Sequence, residues 1–132
     1  MIRLLSPKIL IVENERIVAD DIKQRLEDLG YEVIGISGNG NDALKKTGEI
    51  KPDLILMDII LTGEVDGIET AQQISELYSV PFIYLTAYYD DEILKRASLT
   101  QPAGYITKPF DSVGLHAAIQ MAIYKQKKFK ES

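Results

Sequence analysis

The order of the residues predicts an α/β fold: a doubly wound, five-stranded parallel sheet with helices on both faces. Two observations carry this expectation. Short β-rich segments alternate with stretches of helical period along the whole chain. The first and third β segments, Ile9-Leu10-Ile11-Val12 and Leu54-Ile55-Leu56-Met57, are apolar throughout rather than alternating, as parallel strands covered on both faces must be. Five β-α units of this length imply right-handed crossovers and a single sheet.

The strands fall at about 8–12, 31–36, 53–57, 81–85 and 103–106. The first helix is marked by Val18, Ile22, Leu26 and Leu29, whose spacing of three and four makes a core-facing stripe, closed by Gly30. Asn14 suits the N-cap of that helix, and Glu15 a first-turn carboxylate that complements the dipole. The second helix covers about 40–50 and ends near Lys51-Pro52. A third covers about 67–78, with Ile68, Ala71, Ile74 and Tyr78 inward, and stops before Pro81. The fourth, about 90–99, opens on Asp90-Asp91-Glu92, acids that suit the positive end of a helix. The fifth begins at Asp111 or Ser112 and buries Leu115, Ile119, Ala122 and Ile123. Residues 1–7 read as a lead-in and 8–124 as one domain. Residues 125–132 read as a basic helical extension or the stump of a linker.

Bulk composition narrows the function. With 132 residues, 45% hydrophobic and 27% charged, the chain is one domain of ordinary globular composition. It shows no apolar run long enough to span a bilayer and no signal-like N-terminal pattern. The lack of Cys excludes disulfides, thiolate catalysis and zinc–thiolate sites, and fits a reducing cytoplasm. A net charge of −5 argues against broad nucleic-acid binding, which needs clustered Lys and Arg. The local exception, Lys125-Gln126-Lys127-Lys128-Phe129-Lys130, reads as a solvated helix end complementing its dipole.

Chemistry-bearing residues stand at four strand ends: Glu13-Asn14, Asp58, Thr86 and Lys108-Pro109. In an open parallel sheet these ends converge on one crevice where the winding direction reverses. Alone, each has an ordinary explanation: Asp58 as a turn former, Thr86 as a packed strand end, Lys108 as a surface ammonium. Together they make a set of acids, an amide, a hydroxyl and an ammonium suited to a hard cation and a phosphoryl group. A nucleotide- or flavin-binding loop is disfavoured, because Glu13-Asn14-Glu15 replaces the small residues that cradle phosphate. His116, the only histidine, lies on the fifth helix, outside the crevice, and receives no catalytic role.

Val12-Glu13-Asn14-Glu15, Leu56-Met57-Asp58, Leu85-Thr86-Ala87 and Tyr105-Ile106-Thr107-Lys108-Pro109 resemble the signature of response-regulator receiver domains, over about 8–124. The resemblance implies the flavodoxin-like strand order 2-1-3-4-5, which the general rules for doubly wound sheets already associate with this family. It implies that Asp58 accepts a phosphoryl group from a sensor histidine kinase or phosphotransfer protein. It implies magnesium, or manganese in its place, held by Glu13, Asn14, Asp58 and the Ile60 carbonyl. Lys108 and Thr86 would contact phosphoryl oxygens, with Ala87 leaving the approach open, and the bond before Pro109 would be cis. Thr86 and Tyr105 would form a switch, and Ile60 and Tyr88 would tune dephosphorylation and shield the acyl phosphate. The fourth helix, fifth strand and fifth helix would meet a downstream protein, a fused output domain or a second copy. The module would be cytoplasmic and would catalyse only its own phosphoryl transfer and dephosphorylation.

Two departures from the family pattern stand out. Asn14 replaces an acid, which should weaken magnesium binding, since hard cations respond to ligand charge. The loop Ile59-Ile60-Leu61-Thr62-Gly63-Glu64-Val65-Asp66-Gly67 lacks the common Met-Pro step and is one residue longer than usual, which alters the rim more than the fold. Asn14 is the support for an alternative reading, a receiver-like interaction module that signals without phosphorylation. A magnesium-dependent hydrolase with an aspartyl nucleophile is a third reading, set aside because its nucleophile belongs on the first strand.

Overall fold

The structure, a computed structural model, describes residues 7–61, 66–87 and 91–131, with side chains described as far as Gln126. Five strands alternate with five helices: β1 (Lys8–Val12), α1 (Arg16–Asp28), β2 (Glu32–Ser37), α2 (Gly40–Ile50), β3 (Leu54–Asp58), α3 (Gly67–Leu77), β4 (Phe82–Thr86), α4 (Asp91–Leu99), β5 (Gly104–Thr107) and α5 (Ser112–Glu131). The strands form one sheet in the order β2-β1-β3-β4-β5, all pairs parallel. The predicted fold and strand order are both found.

The continuous apolar character of β1 and β3 has the expected cause. Ile9, Ile11, Leu54 and Leu56 pack beneath α1 and α5, on Ala19, Ile22, Leu26, Leu115, Ile119 and Ala122. Leu10, Val12, Ile55 and Met57 pack on the other face, with Ala43 of α2, Ala71 and Ile74 of α3 and Ala97 of α4. Each fully buried aliphatic side chain contributes about 1.5–3 kcal/mol. The two-sided core therefore holds the strands rigidly, and their C-terminal ends with them.

Four strands lie one residue later than expected. Apolar patterning stops at the last hydrophobic side chain, but the ladder continues through the polar residue after it. Asp58 is in register with Leu85 and Thr86 with Thr107, so these two polar residues are the final rungs of β3 and β4.

Helix ends bring further corrections. The N-cap of α1 is Glu15, with extended backbone and no side-chain cap bond, so Asn14 is not the cap and Glu15 is not in the first turn. Leu29 is the C-cap of α1, and Tyr78 is the extended C-cap of α3; both still pack against the core from outside their helices. Side-chain caps start α2, where Asn39 accepts from Asp42 N at 2.8 Å, and α3, where Asp66 accepts from Glu69 N at 2.8 Å. The expected start of α4 at Asp90 lies outside the described residues.

Candidate functional site

Three charged side chains meet above the C-terminal edge of the sheet. Glu13 extends β1, its N–H donating to Ser37 O at 2.9 Å. Asp58 closes β3, and the Lys108 N–H donates to Thr86 O at 2.8 Å just past β5. Lys108 Nζ lies 2.7 Å from Glu13 Oε1 and 3.5 Å from Asp58 Oδ2. Residues 95 apart in sequence are thus hydrogen-bonded, because parallel strands with right-handed crossovers deliver every βα loop to one edge. The peptide bond between Lys108 and Pro109 is cis, as the family resemblance implies.

Both carboxylates are buried, Glu13 to 2% and Asp58 to 6% exposure. With both acids ionised, the cluster of two acids and one ammonium would carry one excess negative charge. Burial, reinforced by the neighbouring Glu13 carboxylate, pushes the Asp58 carboxyl up from 3.8 to about 7. Burial also disfavours ionised Glu13, but contacts with Asp58 and Lys108 outweigh it and hold that group below its ordinary value. Lys108 is held above its own ordinary value, since Glu13 and Asp58 outweigh its burial. The pair of acids therefore shares a proton that resides on Asp58. Glu13 Oε2 is buried with no hydrogen-bond partner, a state that a cation relieves.

That donor set fits a hard divalent ion: two buried carboxylates, one of which gives up its proton when a cation replaces it. Among the described residues no group of three or more Asp, Glu, His or Cys gathers to hold a metal. An ion here would have two carboxylates and would draw its remaining oxygens from backbone, amide or water.

The remaining expected site residues are placed as follows. Thr86 is buried and Ala87 beside it is exposed. Ile60 N donates to Asp58 Oδ1 at 3.1 Å, while the Ile60 side chain is 53% exposed on the rim. Tyr105 points outward, 42% exposed, its ring 6.0 Å from that of buried Tyr84. Tyr84 bonds Thr100 Oγ1 through its hydroxyl at 2.6 Å, tying β4 to the loop after α4. Asn14 is exposed. Tyr88 and loop residues 62–65 lie outside the described residues. His116 contacts the Tyr31 hydroxyl at 2.8 Å and none of the crevice side chains Glu13, Asp58 or Lys108.

Gly67 is a site residue whose role the sequence reading missed. Its N–H donates to Ile59 O at 3.0 Å, and a Cβ there would collide with the Asp58 carbonyl oxygen. Only glycine lets α3 start this close to the Asp58 backbone. The signal was present in Asp66-Gly67, a helix cap followed by a residue of low helix propensity. Asp66 also pairs with Arg96 of α4 at 3.2 Å, a contact no local pattern announces.

The fold, with charged side chains gathered in a crevice at the C-terminal edge of the sheet, is that of a flavodoxin-like receiver. The chain belongs to the response regulator receiver domain family, whose description matches residues 9–120. It is 33% identical over 116 residues to the transcriptional regulatory protein PdtaR of Mycobacterium tuberculosis, covering 88% of this chain and 56% of that protein. It is 34% identical over 123 residues to the phyllosphere-induced regulator PhyR of Methylorubrum extorquens, covering 92% of this chain and 45% of that one. Among solved structures, the signal receiver domain of a modulated diguanylate cyclase from Desulfovibrio desulfuricans superposes with a TM-score of 0.88 at 40% identity, covering 92% of this chain and 96% of that domain. The chain spans about half the length of the curated relatives it matches. Receiver domains are signalling modules of two-component systems rather than classical enzymes. No helix among the described residues is long and apolar enough to cross a membrane.

Proposed function

We propose that Asp58 is the phosphoacceptor of this receiver and that phosphorylation biases a protein-binding surface. The observation that carries the reading is Lys108 Nζ, held 3.5 Å from Asp58 Oδ2 by the buried Glu13. A carboxylate oxygen of Asp58 attacks the phosphorus of a phosphohistidine on a sensor kinase or phosphotransfer protein. The P–N bond breaks, the imidazole nitrogen leaves with its electron pair and takes up a proton, and Asp58 becomes an acyl phosphate. The new group carries about −1.5 to −2 charges at neutral pH, so alignment and charge neutralisation govern the rate.

Magnesium, when bound, would supply further positive charge at the phosphoryl oxygens. Glu13 and Asp58 would hold it with charged oxygens and Ile60 with its backbone carbonyl. Lys108 neutralises a phosphoryl oxygen, and Thr86 turns its hydroxyl toward another. Movement of Thr86 frees space next to Tyr84, and Tyr105 swings inward from its outward position. The surface of α4, β5 and α5, where Leu99 and Tyr105 are exposed, then meets a downstream protein, a fused output domain or a second copy. The module acts in the cytoplasm.

Incubation with a small phosphodonor and magnesium, followed by intact-mass analysis, tests the reading. A phosphoryl adduct is expected on the wild type and none on Asp58→Asn. Absence of the adduct on both would favour an interaction module that works without phosphorylation, the reading that the neutral Asn14 supports.

A further inference from the structure

The segment from Lys108 to Ser112 carries the chain from β5 into α5. At its start the Lys108 N–H donates to Thr86 O, and near its end Asp111 Oδ1 accepts from Gly114 N at 2.7 Å. A side chain from the first helix, Arg25, fastens it as well. Arg25 Nη1 donates to Ser112 Oγ at 3.2 Å, across 87 residues of sequence. Its guanidinium carbon lies 5.8 Å from the centroid of the Phe110 ring, and its Nε donates to Asp21 Oδ2 at 3.0 Å. Arg16, on the same helix, pairs with Asp20 inside α1. The Arg16 side chain is 77% exposed, that of Arg25 36%. Two simpler roles do not account for Arg25. An ion pair four residues apart needs no contact outside α1. A cation suits the last turn of α1, but the same guanidinium meets the first turn of α5, where a positive charge opposes the helix dipole. What its contacts share is that they hold the β5–α5 segment in place.

We infer that Arg25 is a positioning residue for phosphoryl transfer, keeping Lys108 aimed at Asp58 by clamping Phe110 and Ser112. A lysine ammonium stands at the end of a flexible four-carbon stem, so its bearing on the acids at 2.7 and 3.5 Å depends on a fixed backbone. Phe110, two residues on, packs against the core cluster beneath α1 and α5. The guanidinium over its ring adds cation–π attraction to that packing. Ser112, four residues on, is held by the same group. One planar fork thus serves Asp21, Ser112 and the ring together, which a point charge such as an ammonium does not. Arg25 acts through the backbone of residues 108–112 and not by contact with the reacting atoms. The inference rests on the phosphoacceptor reading of Asp58, but one of its two readouts needs no phosphodonor.

The test compares the full chain with Arg25→Gln, Arg25→Lys, Ser112→Ala and, as a matched control on the same helix, Arg16→Gln. The first readout is the Lys108 side-chain ammonium resonance without phosphodonor. The second is the rate of the Asp58 adduct from acetyl phosphate and magnesium chloride, followed by intact mass well below each Tm. Arg25→Gln should shift or broaden the Lys108 resonance and slow the adduct by about tenfold, short of the roughly hundredfold that a displacement of about 1 Å can cost. Arg25→Lys keeps the charge but not the fork, so it should be slowed by about threefold. Ser112→Ala, which removes one hydroxyl and leaves Arg25 intact, should move the resonance in the same direction by less. Arg16→Gln loses an exposed ion pair and should match the wild type within about twofold. The inference is overturned if the Lys108 resonance is unmoved or the rate unchanged in Arg25→Gln. It is equally overturned if Arg16→Gln is slowed as much, or if Arg25→Lys reacts like the wild type, since charge at a distance would then suffice. A wild type that forms no adduct sinks the phosphoacceptor reading, and the resonance alone then decides whether Arg25 positions Lys108. An adduct that forms equally fast in wild type and Arg25→Gln sinks the positioning role and leaves that reading standing.

Discussion

Replacing Asp58 by Asn should stabilise the metal-free protein at neutral pH. In the native state the Asp58 carboxyl is pushed from 3.8 to about 7, so it is mostly neutral up to pH 7, whereas in the unfolded chain it ionises above about pH 4. The folded protein therefore binds more protons across that window, and stability falls as pH rises through it. At about 1.36 kcal/mol for each tenfold change, the cost at pH 7 is at most about 4 kcal/mol, dropping to below about 2 kcal/mol at pH 5. Asn carries no such cost but loses the attraction of Lys108, so about half of the ceiling, about 2 kcal/mol, should survive. For a chain of this length about 2 kcal/mol raises Tm by about 7 °C. Calorimetry of both proteins in chelator at pH 7 and pH 5 measures the difference. The gain should shrink to about 3 °C or less at pH 5, and magnesium at pH 7 should narrow the gap by stabilising the wild type. An Asn variant no more stable than the wild type at pH 7, or equally stabilised at both pH values, would refute the reasoning.

Other expectations follow from the same geometry. Magnesium affinity should fall as pH drops below about 7, approaching tenfold per pH unit, because the ion must displace the proton on Asp58; a flat titration between pH 6 and pH 8 would argue against the shared proton. Gly67→Ala should cost about 3 kcal/mol and lower Tm by about 10 °C, since its Cβ collides with backbone rather than a movable side chain. Tyr84→Phe should cost only about 1 kcal/mol in a thermal melt, because Thr100 Oγ1 keeps its bond to Ala97 O. Ile60→Asp should shorten the lifetime of the acyl phosphate several-fold by bringing water to the rim, measured as decay of the adduct after the phosphodonor is removed.

Much of the scaffold was legible because its signals are local. The unbroken apolar runs of β1 and β3 could only be strands buried on both faces, and the stripes of α1 and α5 point to the core at helical period. The errors lie where local signal is weakest. The last rungs at Asp58 and Thr86 are polar, so hydropathy ended those strands one residue early although ladder bonds continue. At the start of α1, Asn14 offers the better capping chemistry, yet the turn after Glu13 places Glu15 at the cap.

The residues gathered at the sheet edge could be listed from the chain, since their positions after successive strands follow from topology. Their partnerships could not. That Lys108 binds Glu13 more closely than Asp58, and that burial holds the proton on Asp58 rather than on Glu13, depend on distances between segments far apart along the backbone. Side-chain period and turn chemistry are properties of neighbours in sequence, whereas burial and charge coupling arise only when remote elements pack. Composition and pattern therefore specified the layers and the cast of ionisable groups. The packed arrangement of those layers set which acid keeps the proton and which lies closest to Lys108.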